Sequence, residues 1–158
     1  MRITLERLSK LFKNRIAVEN VNAELTEGIY GFLGANGAGK TTLMQMICGI
    51  IAPTAGEVKV NGKNNTEMGE EFRDLLGYLP QEFGYTPGFT AEDFMFYIAS
   101  VKGLDPRYAK RRTRELMELV SLEGDMKRKI RTFSGGMKRR LGIAQALLND
   151  PKVLIMDE

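Results

Sequence analysis

Apolar and polar residues alternate through Ile3-Thr4-Leu5-Glu6-Arg7-Leu8, and Val18, Val21 and Leu25 recur in a second stretch whose charges fall between them. Both patterns predict strands with one face buried and the other toward solvent. Ile29-Tyr30-Gly31-Phe32-Leu33 is different, a short apolar run that fits a strand buried on both faces. Val153-Leu154-Ile155-Met156 reads the same way. After a glycine-rich turn, Leu43, Met44, Ile47, Ile50 and Ile51 recur at helical spacing until Pro53-Thr54-Ala55-Gly56 stops the helix.

From Thr90 the chain becomes helical, with clear punctuation. Thr90 and Asp93 form a capping-box pattern, after which Phe94, Tyr97, Ile98 and Val101 lie on one helical face up to Gly103. Asp105 caps a second helix with Pro106 at its first position, carrying Ala109, Thr113, Leu116, Met117 and Val120 inward, with Gly124 as its stop. Ser134 opens a third, with Met137, Leu141, Ala144 and Leu148 inside and Asn149-Asp150-Pro151 at its end. Strands, a helical insert and a return to the sheet predict an α/β domain with a helical lobe.

Composition narrows the chemistry. The 158 residues contain no histidine and one cysteine, Cys48. A Ser-His-Asp triad, a His-ligated metal, a histidine switch and an internal disulfide are all excluded. No apolar run reaches the ~20 residues of a membrane span, and the first residues do not read as a signal peptide. The formal charge of +3 is unevenly spread. Residues 101–140 hold thirteen basic side chains against five acidic ones, whereas residues 1–79 hold nine of each. The basic lobe is either a solvated surface or a face turned toward phosphates or an anionic membrane.

Gly34-Ala35-Asn36-Gly37-Ala38-Gly39-Lys40-Thr41 fits the phosphate-loop pattern G-x-x-x-x-G-K-[ST] between an apolar run and an amphipathic helix. Its glycines let successive backbone N–H groups converge on an oxyanion, and the following helix adds its positive end. Lys40 is expected to reach the β- and γ-phosphates of a nucleoside triphosphate, and the Thr41 hydroxyl to ligate Mg²⁺. Asp157 and Glu158 close the apolar run Val153–Met156 in a Walker B arrangement, Asp157 for the metal shell and Glu158 as general base for water. Ser134, followed by Gly135 and Gly136, places exposed backbone N–H groups at a helix start, a second anion site; Lys138, Arg139 and Arg140 in the first turns oppose the helix dipole unless an anion is bound.

With Phe133-Ser134-Gly135-Gly136-Met137 between the Walker elements, and Gln81 in Tyr78-Leu79-Pro80-Gln81-Glu82, the chain resembles the nucleotide-binding subunit or domain of an ABC transporter. Ser-Gly-Gly-Met-Lys-Arg-Arg-Leu is similar to a branch of prokaryotic exporter-type ATPases. The resemblance implies a P-loop NTPase sheet with antiparallel N-terminal strands, an ATP-binding core at 1–82 and 150–158, and an inserted helical signature subdomain at 83–149. It also implies ATP and Mg²⁺ as cofactors and ATP hydrolysis that energises transport through an ATP-sandwiched dimer. Gln81 becomes a catalytic and metal-shell residue linked to the membrane partner, Thr42 joins the nucleotide contacts, and Ser134, Gly135 and Gly136 act on the nucleotide held by the opposite subunit. Phe12 takes the place of an adenine-stacking aromatic. Met137 stands where the family usually has Gln, and Phe133 where it has Leu.

Six of the thirteen aromatics lie from Phe83 to Tyr97. In the family this region receives a coupling helix of the permease, which makes Phe83, Tyr85 and Phe89 interface candidates, while Phe94 and Tyr97 have the spacing of lobe packing. The implied partners are a membrane-spanning permease and a second ATP-binding subunit, with no nucleic acid, and the implied location is the cytoplasmic side of the membrane. The family's D-loop, next strand and switch histidine do not appear before Glu158. The chain is therefore expected to be a fragment with an unfilled slot in its sheet and little hydrolysis. The rival readings are a soluble ABC ATPase acting on nucleic acid or the ribosome, whose chromosome-maintenance type is disfavoured because the 94 positions from Lys40 to Ser134 leave no room for a long coiled coil, and a non-hydrolysing nucleotide binder.

Overall fold

The computed structural model describes residues 1–82 and 84–157, arranged as two units, 1–73 and 74–158. In the first unit, β1 (Ile3–Phe12) and β2 (Arg15–Leu25) form an antiparallel hairpin, β3 (Ala55–Val60) adds antiparallel to β1, and β4 (Lys63–Asn64) completes the order β2-β1-β3-β4. Alternation sends Ile3 and Leu5 of β1, Val18 of β2, and Val58 and Val60 of β3 inward, and a register shift between Leu5 and Leu8, with Arg7 left-handed, turns Leu8 to the same side. Helix α1 (Lys40–Ile47) buries Leu43, Met44, Met46 and Ile47. It ends earlier than its apolar spacing predicts, at Cys48 and the left-handed Gly49, and Ile50 is left exposed. Buried Asn65, in the short helix α2 (Asn65–Met68), donates from Nδ2 to the carbonyls of Met46 (2.9 Å), which also accepts from the Gly49 N–H, and Ile47 (3.0 Å) at the end of α1.

Ile29–Leu33 departs from its expected state. These residues form no strand, and Ile29 and Leu33 are almost fully exposed. An apolar run becomes a strand only when neighbouring strands take its N–H and C=O groups, and here no strand of the described residues pairs with it.

Helix α3 (Glu70–Leu75) carries the chain from the first unit into the second, where β5 (Leu76–Leu79) pairs in parallel with β6 (Val153–Met156). Because β5 is the only described strand paired with β6, Leu154 and Met156 are exposed, not doubly buried as expected. Helices α4 (Ala91–Val101), α5 (Pro106–Leu119) and α6 (Gly135–Ala146) enclose a core of Phe94, Met95, Leu116, Met117, Ile130 and Leu141. All three helix starts follow the predicted caps. Thr90 accepts from the Asp93 N–H and donates to its carboxylate, Asp105 accepts from Arg107 and Tyr108, and Ser134 accepts from Met137. The stop of α5 comes at Val120 and the left-handed Ser121, before Gly124. Helix α6 lies so close to β5 that a Cβ on Gly77 would sit 2.2 Å from the Ala146 carbonyl oxygen.

Two local features carry measurable energy. Glu6 and Glu57 face each other across β1 and β3, and the Lys59 ammonium joins them at 2.8 and 3.1 Å. Hydrogen bonds to these carboxylates hold Lys59 above its ordinary range, while Lys59 and then Asn64 hold Glu57 below the usual carboxylate range. Since Glu57 favours the folded chain only while ionised, its contribution is present above the ordinary glutamate value and is lost as the pH falls through the lowered one. Lys59→Met should therefore cost more stability at pH 7 than at pH 3 in urea melts. Thr90→Ala should lose about 1 kcal/mol at pH 7 by removing one half of the capping box.

Candidate functional site

The phosphate loop is built against β2. Gly39 is left-handed (φ 87°), and a Cβ there would lie 2.0 Å from the Ala17 carbonyl oxygen, so only glycine lets the loop run flush with the strand and enter α1 at Lys40. Within the loop the Ala38 N–H donates to the Ala35 carbonyl (3.1 Å), closing a tight turn with Gly37 also left-handed. Two cations hold its carbonyls. Lys40 Nζ donates to the oxygens of Gly34 (2.6 Å) and Ala35 (3.0 Å), and Arg15 Nη2 donates to Gly37 O at 3.2 Å. Phosphate oxygens compete well for such a lysine, because an anionic acceptor adds a charge–charge attraction that a neutral carbonyl lacks.

Gly34, Ala35, Asn36, Gly37 and Ala38 are exposed, while Thr41 and Thr42 are half-buried in the first turn of α1. Phe12 ends β1 opposite Arg15 and is 45% exposed, with Lys10 Nζ 5.1 Å from its ring centroid. An aromatic that open at the end of the hairpin suits a stacking platform better than a core position. Arg15 was not among the residues singled out by motif. The signal was the tight hairpin, which brings a cation three residues past Phe12 back beside it.

In the second unit, the Asp157 N–H donates to the Leu79 carbonyl at 2.8 Å, and Gln81 follows Leu79 by two residues. Asp157, which is buried, and Gln81, which is exposed, thus share the C-terminal end of the β5–β6 pair. Ligands of open α/β sheets gather at that end. Glu158 and Phe83 lie outside the described residues. Within the second unit, the oxygen donors of Asp157 and Gln81 are of the kind a hard cation such as Mg²⁺ takes, and the Thr41 hydroxyl in the first unit is of the same kind.

The signature segment also has definite geometry. Ser134 is extended (ψ 164°), its Oγ accepts the Met137 N–H at 3.2 Å, and Ser134, Gly135 and Gly136 are all exposed. Phe133 is buried beneath them with the Arg128 guanidinium over its ring. Lys138 stands 5.1 Å from the Tyr85 ring, and Arg140 donates to the Ser121 carbonyl, so two of the three dipole-opposing cations have local partners. The aromatics sort differently from their spacing. Tyr85 and Phe89 pack half-buried against the helical core, Phe94 is buried, and Tyr97 is 54% exposed at the edge of Phe89. Tyr85 and Phe89 pack inward with part of each ring and leave the rest open.

A glycine loop that exposes its backbone ahead of a helix, together with an acidic residue ending a parallel strand, defines a P-loop nucleotide-binding fold. The sequence profile described as "ABC transporter" matches residues 18–158, and the chain belongs to that family. It is 40% identical to the uncharacterized ABC transporter ATP-binding protein YxlF of Bacillus subtilis (strain 168), over 99% of this chain and 52% of that protein. It is 38% identical to the bacitracin transport ATP-binding protein BcrA of Bacillus licheniformis, over 96% of this chain and 49% of BcrA. The chain spans about half the length of the curated relatives it matches. Among solved structures, the dimeric bacterial ABC transporter cassette MJ0796 superposes with a TM-score of 0.87 at 28% identity, covering 99% of this chain and 73% of that one. A post-hydrolysis form of MJ0796 bound to ADP and Pi matches equally well, with a TM-score of 0.87 at 27% identity.

Gly39→Ala should cost more than about 2 kcal/mol, because both the left-handed backbone and the Ala17 contact are violated; urea melts measure it. Arg15→Met should weaken nucleotide binding by about threefold to tenfold through loosening of the loop, the net worth of one typical intramolecular hydrogen bond. Arg15→Lys should recover part of the loss in the same titration calorimetry.

Proposed function

We propose that this chain binds and hydrolyses ATP and energises transport across a membrane through a permease partner, as part of an ATP-sandwiched dimer. The observation that carries the reading is the phosphate loop itself, held flush on β2 by Gly39 with two cations on its carbonyls. The likeness to transport ATP-binding proteins and to a dimeric cassette supports the transport and dimer parts.

Each residue then has a task. Backbone N–H groups from Gly34 to Gly39 and the start of α1 hold the phosphates, helped by Thr42, while Lys40 neutralises the terminal ones. Phe12 stacks on the adenine. Thr41, Asp157 and Gln81 would hold Mg²⁺, which would supply positive charge against the charge that develops on the phosphate oxygens. Glu158 takes the proton from the attacking water, and Gln81 transmits the state of the site to the permease. Ser134, Gly135 and Gly136 present a helix start to the γ-phosphate on the partner subunit. Residues 1–82 and 150–158 serve as the ATP-binding core and residues 83–149 as the helical signature subdomain. The protein works on the cytoplasmic face of the membrane, with no nucleic acid partner.

Calorimetry with Mg·ATP tests the binding step. Lys40→Ala should abolish the heat of binding, and unchanged affinity would refute the phosphate-loop assignment. Glu158→Gln should leave binding in place while reducing phosphate release by about a hundredfold or more, the contribution of a positioned general base.

A further inference from the structure

Helix α5 carries a stripe of cations that its own fold does not explain. Arg107, Lys110, Arg111 and Arg114 are all exposed and fall three or four residues apart, on the side opposite the buried Ala109, Thr113, Leu116 and Met117. At 1.5 Å per residue the stripe runs for about 10 Å. Arg111 is paired with Glu115 at 3.6 Å, and among the described residues Arg107, Lys110 and Arg114 form no ion pair. The neighbouring Arg112 is half-buried and engaged with Glu115 and Asp150, so it does not belong to the stripe.

This arrangement works against the helix. Like charges at i,i+3 and i,i+4 repel, and cations in the first turns oppose the helix dipole. The first turn of α5 contains no acidic side chain, and its only compensation is the Asp105 cap. Exposed positions chosen for helix stability would carry glutamates there. An anionic partner removes both penalties at once.

We propose that the exposed face of α5 rests on the anionic phospholipid surface of the membrane, so that this subunit touches lipid directly as well as its permease. The inference rests on the transport reading above, which sets the protein beside a bilayer. The observations favour lipid over nucleic acid. The stripe lies on one convex helix, and its one aromatic, Tyr108, is half-buried with Arg111 stacked on its ring at 5.6 Å, so it offers no free platform for a base. The apolar face of α5 is already consumed by the core, so the helix adsorbs by charge alone and does not insert. Binding by this route is screened by salt over roughly 10 Å at 0.1 M.

The test is sedimentation of the purified protein with vesicles of phosphatidylcholine alone or mixed with phosphatidylglycerol. The protein should cosediment with the anionic vesicles at low salt, not with the neutral ones, and should be released at high salt. Each cation near such a surface contributes about a fivefold factor, so Arg107→Gln/Lys110→Gln/Arg114→Gln should weaken binding roughly a hundredfold. A control, Lys127→Gln/Lys129→Gln/Arg131→Gln, removes the same charge from a separate exposed segment and should retain most of the binding. Arg107→Lys/Arg114→Lys should retain it as well, which separates charge from loss of fold. Equal losses in the two triple variants, no preference for anionic vesicles, or tighter α5-dependent binding to duplex RNA than to vesicles would each overturn the proposal. Mg·ATP calorimetry on the same samples reads the transport ATPase assignment separately: intact nucleotide binding without vesicle binding sinks only the lipid contact.

Discussion

The phosphate loop keeps its shape because its backbone lies directly on β2, where the Ala17 carbonyl leaves no space for a side chain at residue 39. That close approach sets where α1 begins, and with it the direction of the helix's positive end. It also brings the hairpin's end beside the loop, where Arg15 holds Gly37 O and Lys40 holds Gly34 O and Ala35 O. A turn whose carbonyls are taken by cations is a stiff turn, and a stiff turn pays little ordering entropy when an anion arrives. Binding chemistry in this unit thus follows from one steric constraint.

The helical unit depends on caps in the same way. Each of α4, α5 and α6 starts at a residue whose side chain satisfies orphan N–H groups, so the helix ends are placed sharply and the core residues between them interdigitate. At Ser134 the cap does double duty. It fixes the start of α6 and leaves Ser134, Gly135 and Gly136 exposed with the dipole behind them, while Lys138 is drawn aside to the Tyr85 ring. The segment after Gln81 and the signature helix are therefore joined by a direct contact, which ties the region assigned to permease signalling to the region assigned to the partner's nucleotide.

Local chemistry was readable wherever it depends on a few adjacent residues. The capping box at Thr90, the Asp105-Pro106 start, the Ser134 cap and the hairpin's alternating strands all appear as their residue types and spacing predict, because each is decided by hydrogen bonds or periodicity within one or two turns. The phosphate loop, Gln81, Asp157 and the signature serine could be named for the same reason. Arg15 could not, since its role arises only when a hairpin folds a residue back onto a loop twenty-two positions away.

Tertiary structure decided what needs a distant partner. Ile29–Leu33 has the composition of a buried strand yet forms none, and β6 is half-exposed, because a strand's state is set by the neighbours that accept its hydrogen bonds and cover its faces. Tyr97 has the spacing of a packed residue yet is 54% exposed, since helical spacing states which residues share a face but not what lies against that face. Sequence by itself determined the helix caps, the hairpin and the residue types offered to the site, all consequences of short-range backbone geometry. Burial, pairing and the contacts of long cationic side chains were left to the fold, because they depend on residues that are far apart along the chain.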